Sequence, residues 1–504
     1  MAYVIRSKNY FPAASAAARS KFRLTHPRTL STETLTASPS QTPLTLSPAP
    51  QPLDLTSFPK LFASTSTKSL LRAIFNLHLM SIDPAVDLGI AVMRSKMMQT
   101  DDGLLKKMIL KVVKKTVYEH FCAGEDVKEA AKTMHGLWEE GLKGILDYGL
   151  EDAEGNEDCD RNLLEFLKTV EMTTRLPPSS VSYACVKITA ICPISLLLRV
   201  SDLLRWEYKH PAMASQNLPW KLPSFPVLSE SSPVYHTQTR PPPLSPSEEE
   251  DLHLAEARLF ALCQRCSDAN LPILVDAEYS SVQPAIDHLT CAAMVKFNER
   301  TLRLRYRGNE DAKLIVYGTV QAYLRDSIER LGLYSEAARK HGVPIGFKLV
   351  RGAYITRETT LATSLGEKSP IHNNIDDTHA CYNRCAEFML EKIADGTGAA
   401  VLATHNLESG KLVATKAEEL GIRKQDDNLQ FAQLMGMAAG LSLGLRNAGF
   451  NVSKYLPFGP VDQVLPYLLR RAEENRGLLS GNNLDIELMS TELKTRMKRT
   501  LFGT

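Results

Sequence analysis

The 504-residue sequence has almost no excess charge and no long apolar run. Lysines and arginines number 59 against 57 aspartates and glutamates, which gives a net charge of only +2. A chain so balanced offers no general field for nucleic acid. Because no stretch of 18 uninterrupted apolar residues occurs, we expect no transmembrane helix. Hydrophobic residues make up 44%, which is ordinary for a globular protein and excludes wholesale disorder.

Motifs for metal and redox chemistry are also scarce. The nine cysteines are an odd number, which favours free thiols in a reducing compartment. Cys263 and Cys266 have the spacing of a redox pair, but they lie within a helical pattern, so we interpret them as structural. No His-Glu-x-x-His spacing occurs, and we expect no metal site.

Acidic residues are absent from the first 30 positions, where six basic residues and many alanines and serines occur. A basic, serine-rich, acid-poor leader is typical of an organelle transit peptide. Serine, threonine and proline dominate the following segment, a composition that orders poorly. We therefore predict a transit peptide with a disordered segment over residues 1–65, and we favour a mitochondrial destination. A merely disordered basic tail is the alternative.

After a helical arm predicted over 66–142, short β-type runs alternate with longer helical patterns. Such alternation predicts a parallel (β/α)8 barrel of the TIM type over 143–485, with a tail at 486–504. A doubly wound sheet is the alternative, weakened because no Gly-x-Gly-x-x-Gly follows a strand. A Pro-rich insertion at about 206–250 interrupts the pattern. The eight predicted strands are 144–149, 183–191, 273–277, 314–320, 345–350, 399–404, 429–433 and 454–458.

Polar residues stand where many of these strands end, which is the end at which barrel active sites form. Lys187 lies inside an apolar run and Asp276 follows another. Burying either charge alone would be costly, so we expect them to meet each other or a ligand. The remaining strand-end residues are Gln321, Lys348, Arg351, Thr404, His405 and Asn406.

The most distinctive local pattern lies in the predicted helix near residues 465–475. Tyr467, Arg470, Arg471 and Glu474 fall at helical spacing and share one face. Two adjacent arginines can bind a small carboxylate through forked hydrogen bonds. A solvated charged helix end is the alternative interpretation.

Together these motifs resemble the proline dehydrogenase family in its plant mitochondrial, monofunctional form. They occur in the family's order between about residues 180 and 480. The matching runs are Val-Asp-Ala-Glu at 275–278, Val-Gln-Ala-Tyr-Leu at 320–324, Lys-Leu-Val-Arg-Gly-Ala-Tyr at 348–354, Ala-Thr-His-Asn at 403–406, Gln-Leu-Met-Gly-Met at 433–437 and Tyr-Leu-Leu-Arg-Arg at 467–471 with Glu474-Asn475.

The resemblance implies a distorted (β/α)8 barrel that holds FAD, with the last helix over the active site. It implies oxidation of L-proline to Δ1-pyrroline-5-carboxylate by hydride transfer to FAD N5, with electrons passed to membrane quinone. Such a protein would associate peripherally with the matrix side of the inner mitochondrial membrane. We expect no second catalytic domain after the barrel.

The resemblance also assigns roles residue by residue. Reactive or substrate-contacting positions would include Lys187 with Asp276, and Tyr354 near flavin and substrate. Arg470 and Arg471 would bind the proline carboxylate. The ring would be walled by Tyr455, Tyr467 and Leu434. The expected cofactor-binding residues are Gln321, Lys348, Val350, Arg351, Gly352, Ala353, Thr404, His405, Asn406, Gln433 and Glu474.

Two other activities remain open at this stage. A hydroxyproline dehydrogenase of the same fold would share every motif above. A Schiff-base barrel aldolase could use Lys187 or Lys348 and would be colourless. A non-catalytic binding module is disfavoured by the crowded strand ends and the arginine pair.

Overall fold

The computed structural model describes residues 61–95, 98, 103–211, 218–221, 225–306, 313–475 and 479–502. All of these belong to one structural unit, residues 50–504, and the other unit, 1–49, contains no described residue. The expected transit peptide and disordered segment therefore lie outside the described residues, except for 61–65.

Eight parallel strands, joined in sequence order, close into a barrel in which β1 pairs with both β2 and β8. The predicted (β/α)8 fold is therefore confirmed, and each predicted strand overlaps an observed one. The second ends early, because residues 188–190 form a 3-10 turn. The strands are β1 Lys143–Tyr148, β2 Val181–Val186, β3 Ile273–Val275, β4 Val316–Gln321, β5 Ile345–Val350, β6 Gly398–Ala403, β7 Leu429–Leu434 and β8 Val452–Phe458.

The strands are apolar on both faces because side chains pack inside the barrel and helices cover its outside. Inward residues such as Ile145, Leu274 and Val401 form one buried cluster. Outward residues such as Val316 and Leu402 join the larger core beneath the helices. The covering helices are α5 Asn156–Thr173, α6 Ile194–Lys209, α7 Pro246–Asp268, α8 Gln283–Tyr306, α9 Ser327–His341, α10 Ile355–Ser364, α11 Ile375–Ala394, α12 Leu407–Glu419 and α13 Ala439–Asn447.

The arm before the barrel consists of α1 Thr67–Met80, α2 Asp83–Met93, α3 Leu104–Val113 and α4 Val127–Glu139. A π-helical turn, Lys114–Tyr118, and one short helical turn, Glu119–Phe121, follow α3. No described helix has the length and apolar character needed to cross a membrane.

Two helices follow the last strand. Helix α14, Leu465–Asn475, carries the predicted arginine pair and lies across the carboxyl end of the barrel. It is not the last helix, because α15, Leu479–Phe502, follows and packs against α1 and α13. The expected boundary between barrel and tail at residue 485 falls within α15. Its Asp485 accepts hydrogen bonds from the backbone N–H groups of Ala439 and Gly440, at the start of α13.

Candidate active site

Five polar side chains converge inside the carboxyl end of the barrel, and we call Asp147, Lys187, Asp276, Lys348 and Tyr455 the floor cluster. The Lys187 Nζ donates to both Asp147 oxygens at 3.0 and 3.2 Å and lies 3.3 Å from Asp276 Oδ2. Lys348 donates to Asp276 Oδ1, and Tyr455 donates to Asp276 Oδ2 at 2.7 Å. The expected contact between Lys187 and Asp276 is thus present, within a larger network.

The ion pairs of the floor cluster fix its protonation. Burial by itself would raise the pKa of Asp276, but the Lys348 and Lys187 ammoniums offset it and hold the pKa below its usual range. Burial would likewise lower the pKa of each lysine, yet the facing carboxylates raise both above the ordinary value. Both lysines are therefore ammonium ions. This argues against the aldolase alternative, because a Schiff base forms only from a neutral amine.

The floor cluster and the neighbouring Cys185 have the spacing of a metal site but not its charge. Asp147, Cys185 and Asp276 could each offer one ligand atom within 4.8 Å of the others. The two ammoniums already neutralise these carboxylates, however. Burial raises the pKa of the Cys185 thiol well above its usual value, and the thiol donates to Asp276 Oδ1 at 3.1 Å. We therefore assign no metal to this cluster.

The roof of the site is the face of α14 that points to the barrel. Arg470 donates to both carboxylate oxygens of Glu151 at 2.7 and 3.0 Å, and its guanidinium lies 5.5 Å from the Tyr354 ring centroid. Arg471 is buried, with its guanidinium 5.3 Å from the Tyr467 ring. Burial would raise the pKa of Glu151, but Arg470 outweighs it and lowers that pKa. The roof thus brings one buried and one half-buried guanidinium to the site.

Apolar groups complete the roof. Tyr467 and Leu434 belong to one apolar cluster at the end of β7, and both were expected to contact the substrate ring. The side chain of Glu474, also expected here, lies outside what the structure describes.

Arg351, directly after β5, places another guanidinium at the carboxyl end of the barrel. Arg351 donates to His379 Nδ1 at 2.9 Å, to Thr404 Oγ1 at 2.7 Å and to Ser409 Oγ at 2.8 Å. None of the described carboxylates lies within ion-pair distance of it, and burial lowers its pKa. A mostly buried guanidinium held only by neutral acceptors fits a phosphate or pyrophosphate anion.

The residues after β6 sit beside Arg351. The Asn406 side chain caps α12 by accepting the Ser409 N–H at 2.8 Å. His405 Nε2 accepts the Leu434 N–H at 3.1 Å, and burial lowers the pKa of that imidazole to about 3, so it is neutral. Gln433 Nε2 donates to the Thr404 carbonyl at 3.3 Å. The predicted cofactor residues of β6 and β7 thus form one hydrogen-bonded group.

A sharp turn follows β5. Gly352 has φ +135°, and a Cβ atom there would lie 2.2 Å from the Tyr323 ring, so only glycine fits. The Val350 carbonyl accepts the Ala322 N–H at 2.8 Å, which ties this turn to the end of β4. There Gln321 Nε2 donates to the Glu278 carbonyl at 2.7 Å. Ala353 and Tyr354 follow the turn, and Tyr354 reaches the roof.

Comparison with known proteins gives one consistent result. The family model described as proline dehydrogenase matches residues 130–483. The chain belongs to the proline dehydrogenase family. It is 51% identical over 440 residues to mitochondrial proline dehydrogenase 1 of Arabidopsis thaliana, covering 87% of this chain and 85% of that protein. Mitochondrial proline dehydrogenase 2 of the same plant is also 51% identical over 440 residues.

More distant relatives share the family. Human hydroxyproline dehydrogenase is 30% identical over 448 residues, covering 86% of this chain and 92% of that protein. Among solved structures, proline utilization A from Bdellovibrio bacteriovorus matches with a TM-score of 0.55 and 21% identity. That match covers 82% of this chain but 37% of the solved chain, and it shows the fold alone.

In this member of the proline dehydrogenase family, three acidic residues near the site were missed by sequence reasoning. Asp147 ends β1 inside an apolar run, so the strand-end rule, applied to the first strand, would have found it. Glu151 lies three residues beyond that strand and carries no local signal. Glu278 was noted only as part of a motif. It is buried, accepts the Thr189 Oγ–H at 2.8 Å, and has a pKa raised to about 8 by burial.

The arm was also not expected to reach the site. Tyr118, placed by the π-helical turn, donates to the Gly459 carbonyl at 2.6 Å. Its ring, Phe121 and Val113 pack in the same apolar cluster as Tyr467. The arm of this proline dehydrogenase family member therefore supports the roof from outside.

Proposed function

We propose that this chain catalyses the FAD-dependent oxidation of L-proline to Δ1-pyrroline-5-carboxylate. The observation that carries the proposal is a charge-balanced floor cluster beneath a roof helix that bears a buried Arg471 and a half-buried Arg470. Family membership and 51% identity to plant proline dehydrogenases support the same reaction. One anionic, ring-shaped substrate would lie between floor and roof.

Substrate orientation comes from the roof. Arg470 and Arg471 bind the proline carboxylate, because guanidinium groups match carboxylate geometry. Lys187 and its partner Asp276 lie below, where Lys187 adds a positive charge. The ring packs against Tyr455, Tyr467 and Leu434. The roof helix covers the site and excludes water, which strengthens every charge interaction inside the site.

Cofactor binding falls to residues beyond the substrate. FAD supplies the hydride acceptor, its N5 atom. Arg351 would neutralise phosphate charge, because its guanidinium is held by neutral acceptors and no described carboxylate lies within ion-pair distance of it, and Lys348 would lie near the flavin ring. The other residues proposed to hold the cofactor are Gln321, Val350, Gly352, Ala353, Thr404, His405, Asn406, Gln433 and Glu474.

The electrons then pass to membrane quinone. We propose residues 1–65 as a mitochondrial transit peptide with a disordered segment, 66–142 as the arm and 143–485 as the catalytic barrel. Relatives named as mitochondrial support this location. The proposed site of action is the matrix side of the inner membrane. A fluorescent protein fused behind residues 1–65 should enter mitochondria, and a cytosolic signal would contradict this location.

An absorption spectrum tests the reaction directly. The purified protein should be yellow, and anaerobic L-proline should bleach its flavin bands. The variant Arg471→Met should stay yellow but bleach only at much higher proline concentration. A folded, colourless protein that FAD cannot reconstitute would overturn the proposal.

Hydroxyproline is the control substrate, because hydroxyproline dehydrogenases of about 30% identity belong to the same family. Anaerobic titration with each amino acid gives the two concentrations for half-bleaching. We expect proline to bleach at the lower concentration. The reverse order would assign the chain to hydroxyproline.

A further inference from the structure

Helix α3 in the arm turns hydrophobic side chains outward. Leu104, Leu105, Met108 and Val112 are 84, 51, 66 and 63% exposed, and Leu104 is the most exposed large hydrophobic residue that the structure describes. The side chains recur at helical spacing along one side. Surface helices of soluble proteins normally turn polar residues outward, so this face needs a partner.

The same segment is strongly basic. Residues 104–115 contain five lysines and no aspartate or glutamate. Lys114 and Lys115 pair with Glu125 and Glu119. In the described part of the chain no carboxylate lies within ion-pair distance of Lys111, which is exposed beside the apolar side chains, so its charge is available to an anionic partner.

The opposite side of α3 is already used. Ile109 and Leu110 pack around Val113 in the cluster that also contains Tyr467 and Leu468 of the roof helix. The outward face therefore does not arise from a loosely placed helix. It belongs to an element fixed to the roof of the active site.

We propose that the outward face of α3, formed by Leu104, Leu105, Met108 and Val112, docks on a lipid bilayer with anionic headgroups. Exposed apolar side chains would enter the headgroup boundary while Lys111, which lies at the edge of this face, binds the headgroups. A second copy of the chain fits less well, because a two-fold contact would place this basic, acid-free segment against itself. The docking stands on the exposed face itself, and its link to electron transfer rests on the proposed function.

Insertion can be measured at one side chain. All nine cysteines are buried, so a full-length Met108→Cys protein can be labelled selectively with an environment-sensitive NBD fluorophore. Vesicles of phosphatidylcholine and cardiolipin should shift its emission to the blue, and brominated lipids should quench it. The matched control is Leu164→Cys, an exposed leucine of α5 (56% exposed), which should not respond.

Two outcomes would overturn the proposal. In the first, the protein sediments with vesicles but the label at position 108 stays in water, which would mean that another surface binds. In the second, the label is already buried without vesicles and the protein is a dimer by light scattering, which would assign the face to a second copy.

Substitutions separate the apolar and the charged contributions. Leu104→Gln, Leu105→Gln and Met108→Gln combined should weaken vesicle binding about tenfold or more. The matched triple, Leu164→Gln, Leu198→Gln and Leu254→Gln on barrel helices, should bind like the wild type. Lys111→Gln should also weaken vesicle binding, by about fivefold, against no loss for the exposed Lys368→Gln. Equal binding by test and control variants would refute the assignment.

Activity distinguishes failure of this inference from failure of the proposed function. Proline oxidation with a water-soluble dye as acceptor should be unchanged in the α3 triple variant. Oxidation with quinone embedded in vesicles should fall with vesicle binding. Absence of dye reduction in the wild type would count against the proposed function, whereas unchanged quinone reduction in the triple variant would count against the docking face.

Discussion

In the floor cluster, two lysines and two aspartates lie on or just after strands and neutralise one another within 3.3 Å. In the roof, two arginines lie on one helix, and Arg470 is bound to Glu151 of a loop. Each strand of the closed barrel is hydrogen-bonded to a neighbour on both sides. Helix α14, in contrast, is held by side-chain contacts with the arm, including helix α2. The comparison indicates that backbone pairing and ion pairs together hold the floor, whereas side-chain contacts alone position the roof.

The largest effect should come from breaking the floor. Asp276→Asn leaves Lys187 and Lys348 buried without one of their counter-charges, and we expect a loss of about 3–5 kcal/mol in the free energy of unfolding. Denaturant titration measures it. The control is Asp160→Asn, whose partner Arg258 is buried but whose own side chain is 66% exposed, and which should lose about 1 kcal/mol or less. Equal losses would refute the structural role of the floor.

Next comes the roof. Arg471→Met should lower kcat/KM for proline by a factor corresponding to about 2–5 kcal/mol, because the substrate carboxylate loses a buried guanidinium partner. The unfolding free energy should change much less than in Asp276→Asn, since methionine can keep the apolar packing of α14. Steady-state kinetics and flavin content measure the two effects. Near-normal kinetics would contradict the proposal that Arg471 binds the substrate carboxylate. The control is Arg339→Met, at an exposed helix end.

Glu278 sharpens the comparison through pH. Burial raises its pKa from 4.5 to about 8, so the folded protein holds a proton there that the unfolded chain releases. Stability from this group is full below about pH 4.5 and is lost as pH rises toward 8, by at most about 1.4 kcal/mol per pH unit. Relative to Glu278→Gln, the wild type should therefore weaken over that range. A difference between the wild type and Glu278→Gln that stays flat with pH would contradict the raised pKa.

Sequence reasoning found the fold because each strand is a short apolar run between helical patterns. The predicted end of the second strand was wrong, because residues 188–190 form a 3-10 turn and an apolar run alone does not show where a strand ends. The last helix was misjudged because α15 has a helical sequence but no motif of its own.

The site was predictable to the extent that charge stood where apolar runs end. Lys187, Asp276 and Lys348 followed from that rule, and the expected contact between Lys187 and Asp276 is present. Glu151 did not, because it lies in a loop whose partner is 319 residues away along the chain. The support given by the arm through Tyr118 was equally hidden, since only the folded chain brings it to the roof.

The smallest effect should come from the residue that orients Arg470 in the roof. Glu151→Gln keeps the shape of the side chain but removes the charge that orients Arg470, so the carboxylate site should lose pre-organisation rather than a contact. We expect KM for proline to rise with little change in kcat, by a factor corresponding to about 1–2 kcal/mol. A double-mutant cycle with Arg470→Met separates this from a general loosening. If the Glu151 effect vanishes once Arg470 is removed, it acts through that arginine. If it persists in full, Glu151 stabilises the loop after β1 and the roof is held by packing alone.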